Sequence, residues 1–384
     1  HSIDSLNDEF ISRNRKFGLN ILYVDHYLPE YDKDAGSLTA FYMISTLNFL
    51  NHAVTFWPDN LNKTEPYSTQ LQQKGVEVIY GRNNFEDFFK ERGNSFDICF
   101  LSRPHISPKY LKIIKKYHPD CKIVYDTVDL GYIREFRESK IKNDSSLLKK
   151  SEQTKQYEFD IISNSDITIV RTKIEADILK KELPSSIVAV IPPLQLIQKT
   201  TSHFDDTKDL LFVGSFNHPP NVDAVTYLIK DIFPVIHKKM DNVILNIVGS
   251  NPPQNLIELC SKIPGINFLG YVPDLEPLLK NSRLMLAPMQ YGSGMKGKIT
   301  QSMSYGLPVI TTSIGAEGIV KKDGNILRIA DTIDDFVKAV LETYSDKELW
   351  SNLAENSLQY SINKFSPEHV KNTLSKIISM CLNS

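Results

Sequence analysis

The run Gly292-Ser293-Gly294-Met295-Lys296-Gly297-Lys298 sets three glycines and two lysines within seven residues. Glycines let a backbone come close to a ligand, and lysines compensate anionic charge. A helix predicted to open at about Gly297 would aim free N–H groups and the positive end of its dipole at whatever lies in front. These residue types together suit a phosphate or a diphosphate. The plainer alternative for Lys296 and Lys298 is a pair of solvated loop lysines. An apolar strand, Leu284 to Ala287, leads into the run. Gly306-Leu307-Pro308 then stops the helix and resets the chain into a second apolar strand, Val309 to Thr312.

Other candidates lie where further predicted strands end. Short apolar stretches fall at Ile21 to Val24, Ala53 to Trp57, Val76 to Tyr80, Phe96 to Leu101, Lys122 to Tyr125, Ile167 to Val170 and Ile187 to Ile191, with helix-length segments between them. That alternation predicts an open parallel sheet covered by helices on both faces. Ligands of such sheets gather beyond the carboxyl ends of the strands. The position singles out Asp25, His26, Ser102 to His105, Asp126 to Asp129, Arg171 and Thr172. Gly36 and Ser37 open a helix whose inward stripe is Phe41, Met43, Ile44, Leu47 and Leu50. They form either a plain cap or a second anion or sugar site. Arg134 to Lys155 reads as a solvated helix or loop, with a surface for a charged acceptor or a membrane as the alternative.

A polar, patternless stretch from Pro192 to about Asp209 is the best interdomain linker. Beyond it a second sheet is predicted from Leu210, Val243 to Val248, Ile266 to Leu269, Leu284 to Ala287, Val309 to Thr312 and Ile326 to Ile329. Gly214-Ser215-Phe216 follows its first strand, and Asn221 is expected to cap the next helix. Thr332 to Asn383 is helical in pattern, with a break near Phe365-Ser366-Pro367. The fold class is therefore α/β, with two doubly wound domains and a cleft between them.

Composition agrees with that size. The chain has 384 residues, 41% hydrophobic and 23% charged, enough for two cores. Its net charge of −2 gives no basic field for nucleic acid, although a local basic patch would be hidden in the total. Cys99, Cys121, Cys260 and Cys381 are scattered, as buried reduced thiols would be. No His/Cys ligand cluster stands out as a metal site. No apolar run approaches the ~18 residues of a membrane span, and no signal peptide is visible. The first residue is His1 and residues 1–18 are polar, so a domain of a longer polypeptide is expected, with those residues as a linker or extension.

The segments LFVGSFNHPPNVDAVTYL, INFLGYVPDLEPLL and APMQYGSGMKGKITQSMSYGLPVITTSIGAEGI carry a family resemblance. In that order, over roughly Leu210 to Ser366, the chain resembles the C-terminal domain of GT-B glycosyltransferases of the large retaining group often called family 4. ILYVDHYLPEYDKDAGS and KIVYDTVDLGYIREFRE resemble bacterial members found in polysaccharide clusters, often fused to other domains. The resemblance implies a GT-B fold of two Rossmann-like domains facing each other across a cleft. The acceptor-side domain would span 19–205 and the nucleotide-sugar domain 206–365, with 366–384 a helix packing back on the first. It also implies transfer with retention from a nucleotide-sugar donor, without a metal or other cofactor. The acceptor would be a glycan or lipid-linked oligosaccharide of O-antigen or capsule synthesis. The place of work would be the cytoplasm, peripheral to the inner face of the membrane if the acceptor is lipid-linked.

Carried over residue by residue, the resemblance implies that Gly36, Ser37, Gly214, Ser215, Gly294, Lys296, Gly297 and Lys298 line the donor side, with Lys296 and the amides near Gly297 on the diphosphate. The ribose-binding glutamate of relatives falls on Gln301, and the earlier glutamate of their E-x7-E pattern falls on Ser293. Glu317 is either a donor contact or a structural turn. Asp126 and Asp129 match strand-end aspartates, as catalytic groups or as caps of backbone amides. His105, Arg134 and Arg171 are the acceptor-side candidates; His105 and His218 also suit structural roles. Relatives reading DTVDLH carry a histidine where this chain has Gly131. These departures leave a second reading, a catalytically inactive module that binds glycan or scaffolds a larger enzyme. A sugar-nucleotide epimerase is a third, for which no carboxylate motif is present.

Overall fold

In the first strand Ile21 and Tyr23 face one apolar cluster and Leu22 and Val24 another, and all four are fully buried. A strand covered on both faces reads as an unbroken apolar run, which is why these stretches stand out in the sequence. The computed structural model describes residues 18–198, 201–292 and 294–383. The expected extension at 1–18 lies outside the described residues, except for Gly18.

The described chain clusters into two units. The first takes residues up to Phe136, then Ser145–Leu194, and then Pro367 onward. Its strands are β1 (Asn20–Asp25), β2 (Ala53–Pro58), β3 (Glu77–Val78), β4 (Ile98–Ser102), β5 (Lys122–Asp126), β6 (Ile167–Val170) and β7 (Val188–Val190). They pair in parallel in the order β3-β2-β1-β4-β5-β6-β7. Helices α1 (Ala35–Phe49), α2 (Tyr67–Gln73), α3 (Phe85–Arg92), α4 (Ser107–Tyr117), α5 (Gly131–Lys142), α6 (Ser145–Ser163) and α7 (Lys173–Glu182) run between them. The segment Arg134 to Lys155 is thus helical on both sides of a short turn. Cys99 and Cys121 bring their sulfurs to 3.3 Å, and all four cysteines are buried thiols outside any disulfide.

The second unit takes Gln195–Ser366 and the segment Arg137–Asp144. In chain order it has β8 (Lys208–Val213), α8 (Pro219–Tyr227), α9 (Phe233–Lys239), β9 (Leu245–Val248), α10 (Gln254–Ser261), β10 (Ile266–Gly270), α11 (Glu276–Asn281) and β11 (Ser282–Ala287). Then come α12 (Gly297–Ser304), β12 (Val309–Thr311), β13 (Arg328–Ile329), α13 (Ile333–Ser345) and α14 (Lys347–Phe365). The parallel order is β10-β9-β8-β11-β12-β13. The last helix, α15 (Pro367–Asn383), belongs to the first unit, where Val370, Leu374, Ile377, Ile378 and Cys381 join the cluster around Ile21 and Tyr23.

Two local departures have simple causes. Between α8 and α9, residues Leu228–Ile232 widen into a π-helical turn just before Pro234, whose ring cannot accept a regular α-helical neighbour. Helix α8 starts at Pro219 with His218 in the cap position, so Asn221 is not the cap. Proline is favoured in a first helical turn because its missing N–H costs nothing there. Asn221 is thereby turned inward and left for another task.

Candidate functional site

Each sheet reverses its strand order once, between β1 and β4 in the first unit and between β8 and β11 in the second. Open parallel sheets bind ligands at that switch, beyond the carboxyl ends of the strands.

In the second unit, Gly214 follows β8 and donates its N–H to the Val248 carbonyl at 2.9 Å. A Cβ on Gly214 would stand 3.0 Å from Lys298 Nζ and from the Asn221 amide, so a side chain here would press both groups back from the loop. Gly249, on the neighbouring turn, has no room at all: its Cβ would fall 1.9 Å from the Gly214 carbonyl oxygen. Asn221 donates through Nδ2 to the Ser215 carbonyl at 2.7 Å and accepts from Lys298 Nζ on Oδ1. The Lys298 ammonium lies 4.7 Å from the centre of the Phe212 ring. Burial, then the neighbouring Lys296, push it from 10.5 down to about 7.

The loop after β11 supplies the opposite wall. Gly292 and Gly294 sit at φ of 136° and 65°, a region L-residues avoid. Ser293 between them lies outside the described residues. Lys296 is buried and donates from Nζ to the Gly294 carbonyl at 2.6 Å. It is also the residue before α12, and it places no side-chain cap on that helix. The Ile299 and Thr300 amides donate to the Lys296 carbonyl at 2.9 and 3.2 Å, as in an ordinary first helical turn. Gln301 is half-buried on α12. Glu317 is buried and held by Arg137 through both carboxylate oxygens, and Arg137 also donates to the Gly292 carbonyl at 2.6 Å. Ser215 is exposed, 3.3 Å from the Ser250 hydroxyl. Two glycine-bearing loops and two lysines thus meet near the end of β8 and the start of α12, residue types suited to a diphosphate.

In the first unit, Asp126 is buried at the end of β5 and accepts from Arg171 Nη2 on both oxygens at 2.7 Å. Arg171 also donates to the Ile191 carbonyl at 3.1 Å, so the pair is held from two sides. Asp126 accepts as well from the Val128 N–H at 3.1 Å, and Val128 is held at a φ of 64°. A β-branched residue in that region is strained, and such strain persists only where neighbours hold it. Asp129 pairs with Arg134. Asp25, buried at the end of β1, accepts from Arg103 Nε at 2.7 Å, with burial raising its carboxyl against that pairing. His26 and His105 meet at the switch, Nδ1 to Nε2, at 3.3 Å. Burial, then His26 and Arg103, hold His105 below its usual range.

Ser37 donates its hydroxyl and its N–H to the Asp34 carboxylate, both at 2.8 Å, which makes Asp34 the cap of α1 and sets Gly36 and Ser37 in its first turn. At Gly131 the space is filled from elsewhere: Glu158 of α6 accepts from the Gly131 and Tyr132 amides at 2.9 and 3.3 Å. Burial lifts the Glu158 carboxyl to about 7 against those two bonds. Among the described residues no three His, Cys, Asp or Glu side chains gather as metal ligands would, and no helix is long and apolar enough to cross a membrane. Sequence reasoning missed Asn221, Arg137 and Glu158, because their partners are distant in the chain and no local spacing marks them.

Residues 207–346 match the family described as "Glycosyl transferases group 1". A protein of Klebsiella pneumoniae described as an uncharacterized 44.6 kDa protein in the cps region is 25% identical over 176 residues, 44% of this chain and 45% of its own length. The chain spans less than half the length of the curated relatives it matches. Among solved structures, sucrose-phosphate synthase from Thermosynechococcus elongatus superposes with a TM-score of 0.70 at 12% identity over 95% of this chain and 100% of that one. The pneumococcal O-GlcNAc transferase GtfA, in complex with UDP and GlcNAc, gives 0.70 at 10% identity over 96% and 100%. The fold is GT-B, two Rossmann-like α/β domains.

Proposed function

From a group 1 glycosyl transferases domain at residues 207–346, we propose that this chain is a glycosyltransferase moving a sugar from a nucleotide-diphosphate donor to a glycan or lipid-linked glycan. The observation that carries the reading is the diphosphate-suited cluster of Gly214, Gly294, Lys296 and Lys298. Lys296, Lys298 and the amides that open α12 stabilise the charge that builds on the departing diphosphate, the task a bound cation performs in other transferases. Gln301 hydrogen-bonds the donor ribose without charge assistance. Transfer proceeds with retention, the acceptor hydroxyl attacking on the face the diphosphate leaves. The first unit holds the acceptor with His105 and Arg134, while Arg171, buried against Asp126 and the Ile191 carbonyl, braces the end of β5. The relative from a cps region supports a surface glycan such as capsule or O-antigen as the product. UDP in the GtfA complex supports a uridine nucleotide sugar as the donor.

A thermal-shift screen against UDP, GDP, ADP, CMP and dTDP tests the reading, with Lys296→Ala alongside. A nucleotide at about 100 times its Kd stabilises by ~2.7 kcal/mol, a visible rise in Tm. One nucleotide should stabilise the wild type and fail to stabilise the variant. No shift with any of them would favour the second reading, an inactive scaffold, which the glycine at 131 and the amide at Gln301 keep open.

A further inference from the structure

The surroundings of Lys298 are unusual for a cation. Its ammonium donates to a neutral acceptor, Asn221 Oδ1, and otherwise meets the Phe212 ring, the Met289 sulfur at 3.9 Å and the backbone at Gly214. The charged group acting on it, among the described residues, is another cation, Lys296. An ammonium drawn in from water is ordinarily matched by a carboxylate, because losing hydration without a counter-charge is unfavourable. Lys298 is half-buried as a residue, its ammonium lies inside the cluster, and burial, then Lys296, bring its proton affinity down to about 7. Asn221 cannot turn away from this task. Its Nδ2 is committed to the Ser215 carbonyl at 2.7 Å, which leaves Oδ1 facing Lys298.

Resting on the reading of this unit as the nucleotide-binding half, we propose that Asn221 is a positioning residue for Lys298. Its neutral carbonyl holds the lysine over Gly214 without satisfying its charge, and an arriving diphosphate supplies that charge and draws a proton onto Lys298. An aspartate at 221 would hold the lysine equally well, but it would compete with the diphosphate for the same ammonium. A neutral clamp keeps the cation unspent until the ligand comes.

The linkage has a definite sign. The diphosphate raises the proton affinity of Lys298, so binding and proton uptake assist each other. Below about pH 7 the lysine is already charged and this group adds no pH dependence. Above it, affinity falls by up to about tenfold per pH unit until the proton affinity of the occupied site is reached.

Calorimetric titration with UDP at pH 8, in two buffers of different ionisation enthalpy, counts the protons taken up; GDP and ADP are run in parallel. The terminal phosphate of the nucleotide, which ionises at roughly pH 6, is already charged there and contributes little. Wild type should take up close to one proton per nucleotide. Lys298→Arg, which stays charged, should bind with no uptake. Asn221→Asp should lose tenfold or more in affinity together with the uptake, while its circular dichroism and melting profile stay those of a folded chain. Nucleotide binding without proton uptake in the wild type would overturn the clamp and leave the donor reading standing. Wild-type affinity and uptake in Asn221→Asp would overturn the positioning role. No binding of any nucleotide at pH 6 or pH 8 would overturn both.

Discussion

Glu158 takes a charge off the surface and sets it against the first two amides of α5. Burial lifts its carboxyl from 4.5 to about 7, so the folded chain prefers the protonated acid. Stability from this group is complete below about pH 4.5 and is lost as pH rises through about 7. The full span is worth roughly 3 kcal/mol. Glu158→Gln keeps a carbonyl for the amides and cannot ionise. Thermal unfolding at pH 5 and pH 8 should show the wild type losing more stability than the variant between the two. Equal losses would mean that another group titrates. At this scale the sequence is only half legible. Gly131 is visible as a glycine in an unexpected place, but nothing near it points to a glutamate in a lysine-rich segment 27 residues on. Asn221 is a similar case: a good capping residue by type, it is displaced from the cap by Pro219 and Pro220 and so freed for Lys298.

Elements were more readable, because burial on both faces writes itself into composition. The apolar runs of β1, β5, β6 and β11 appear where strands form, and α12 opens at Gly297 with a left-handed Gly306 just beyond its end. The edges were less readable. The run Val76 to Tyr80 pairs only at Glu77–Val78, since β3 lies at the sheet edge and has β2 as its one neighbour. At the entrance to β11, Arg283 stacks 3.5 Å from the centre of the Phe204 ring and donates to the Thr207 hydroxyl, the Thr207 carbonyl and the Tyr344 carbonyl at 2.8, 2.6 and 2.9 Å. Its own carbonyl accepts from Trp350 Nε1 at 2.7 Å. The planar fork fastens the start of β8 and the end of α13 to one strand, and the backbone carbonyl of the same residue holds the start of α14. Arg283→Lys keeps the charge but loses the fork and the stacked plane. We expect a cost of about 2–4 kcal/mol in urea unfolding. A loss below about 0.5 kcal/mol, the range of an ordinary surface change, would show that the fork is not needed.

Over the whole molecule, chain order and unit membership part company. After contributing Arg137–Asp144 to the second unit, the backbone leaves the first at Leu194, builds the rest of the second, and returns at Pro367 to supply α15. Sequence pattern shows that α15 is amphipathic and that a break precedes it; periodicity says nothing about which core takes its apolar face. The contacts say it plainly: Val370, Leu374, Ile377 and Cys381 are at most 1% exposed, and they close the cluster built on Ile21, Tyr23 and Ile44. Burying each such side chain contributes ~1.5–3 kcal/mol, so α15 carries an amount comparable to the roughly 5–15 kcal/mol net stability of a whole domain. A chain ending at Ser366 should therefore fail in its first unit, although residues 19–194 are all present. The second unit keeps its own clusters around Phe212 and Met285, and with them the loop after β8 and the start of α12. Hydrogen exchange should find the amides of β1, β4 and β5 unprotected, those of β8, β11 and β12 still protected, and a nucleotide still able to slow exchange near Gly214. Protection persisting in β1 would mean that the first unit closes its core without α15.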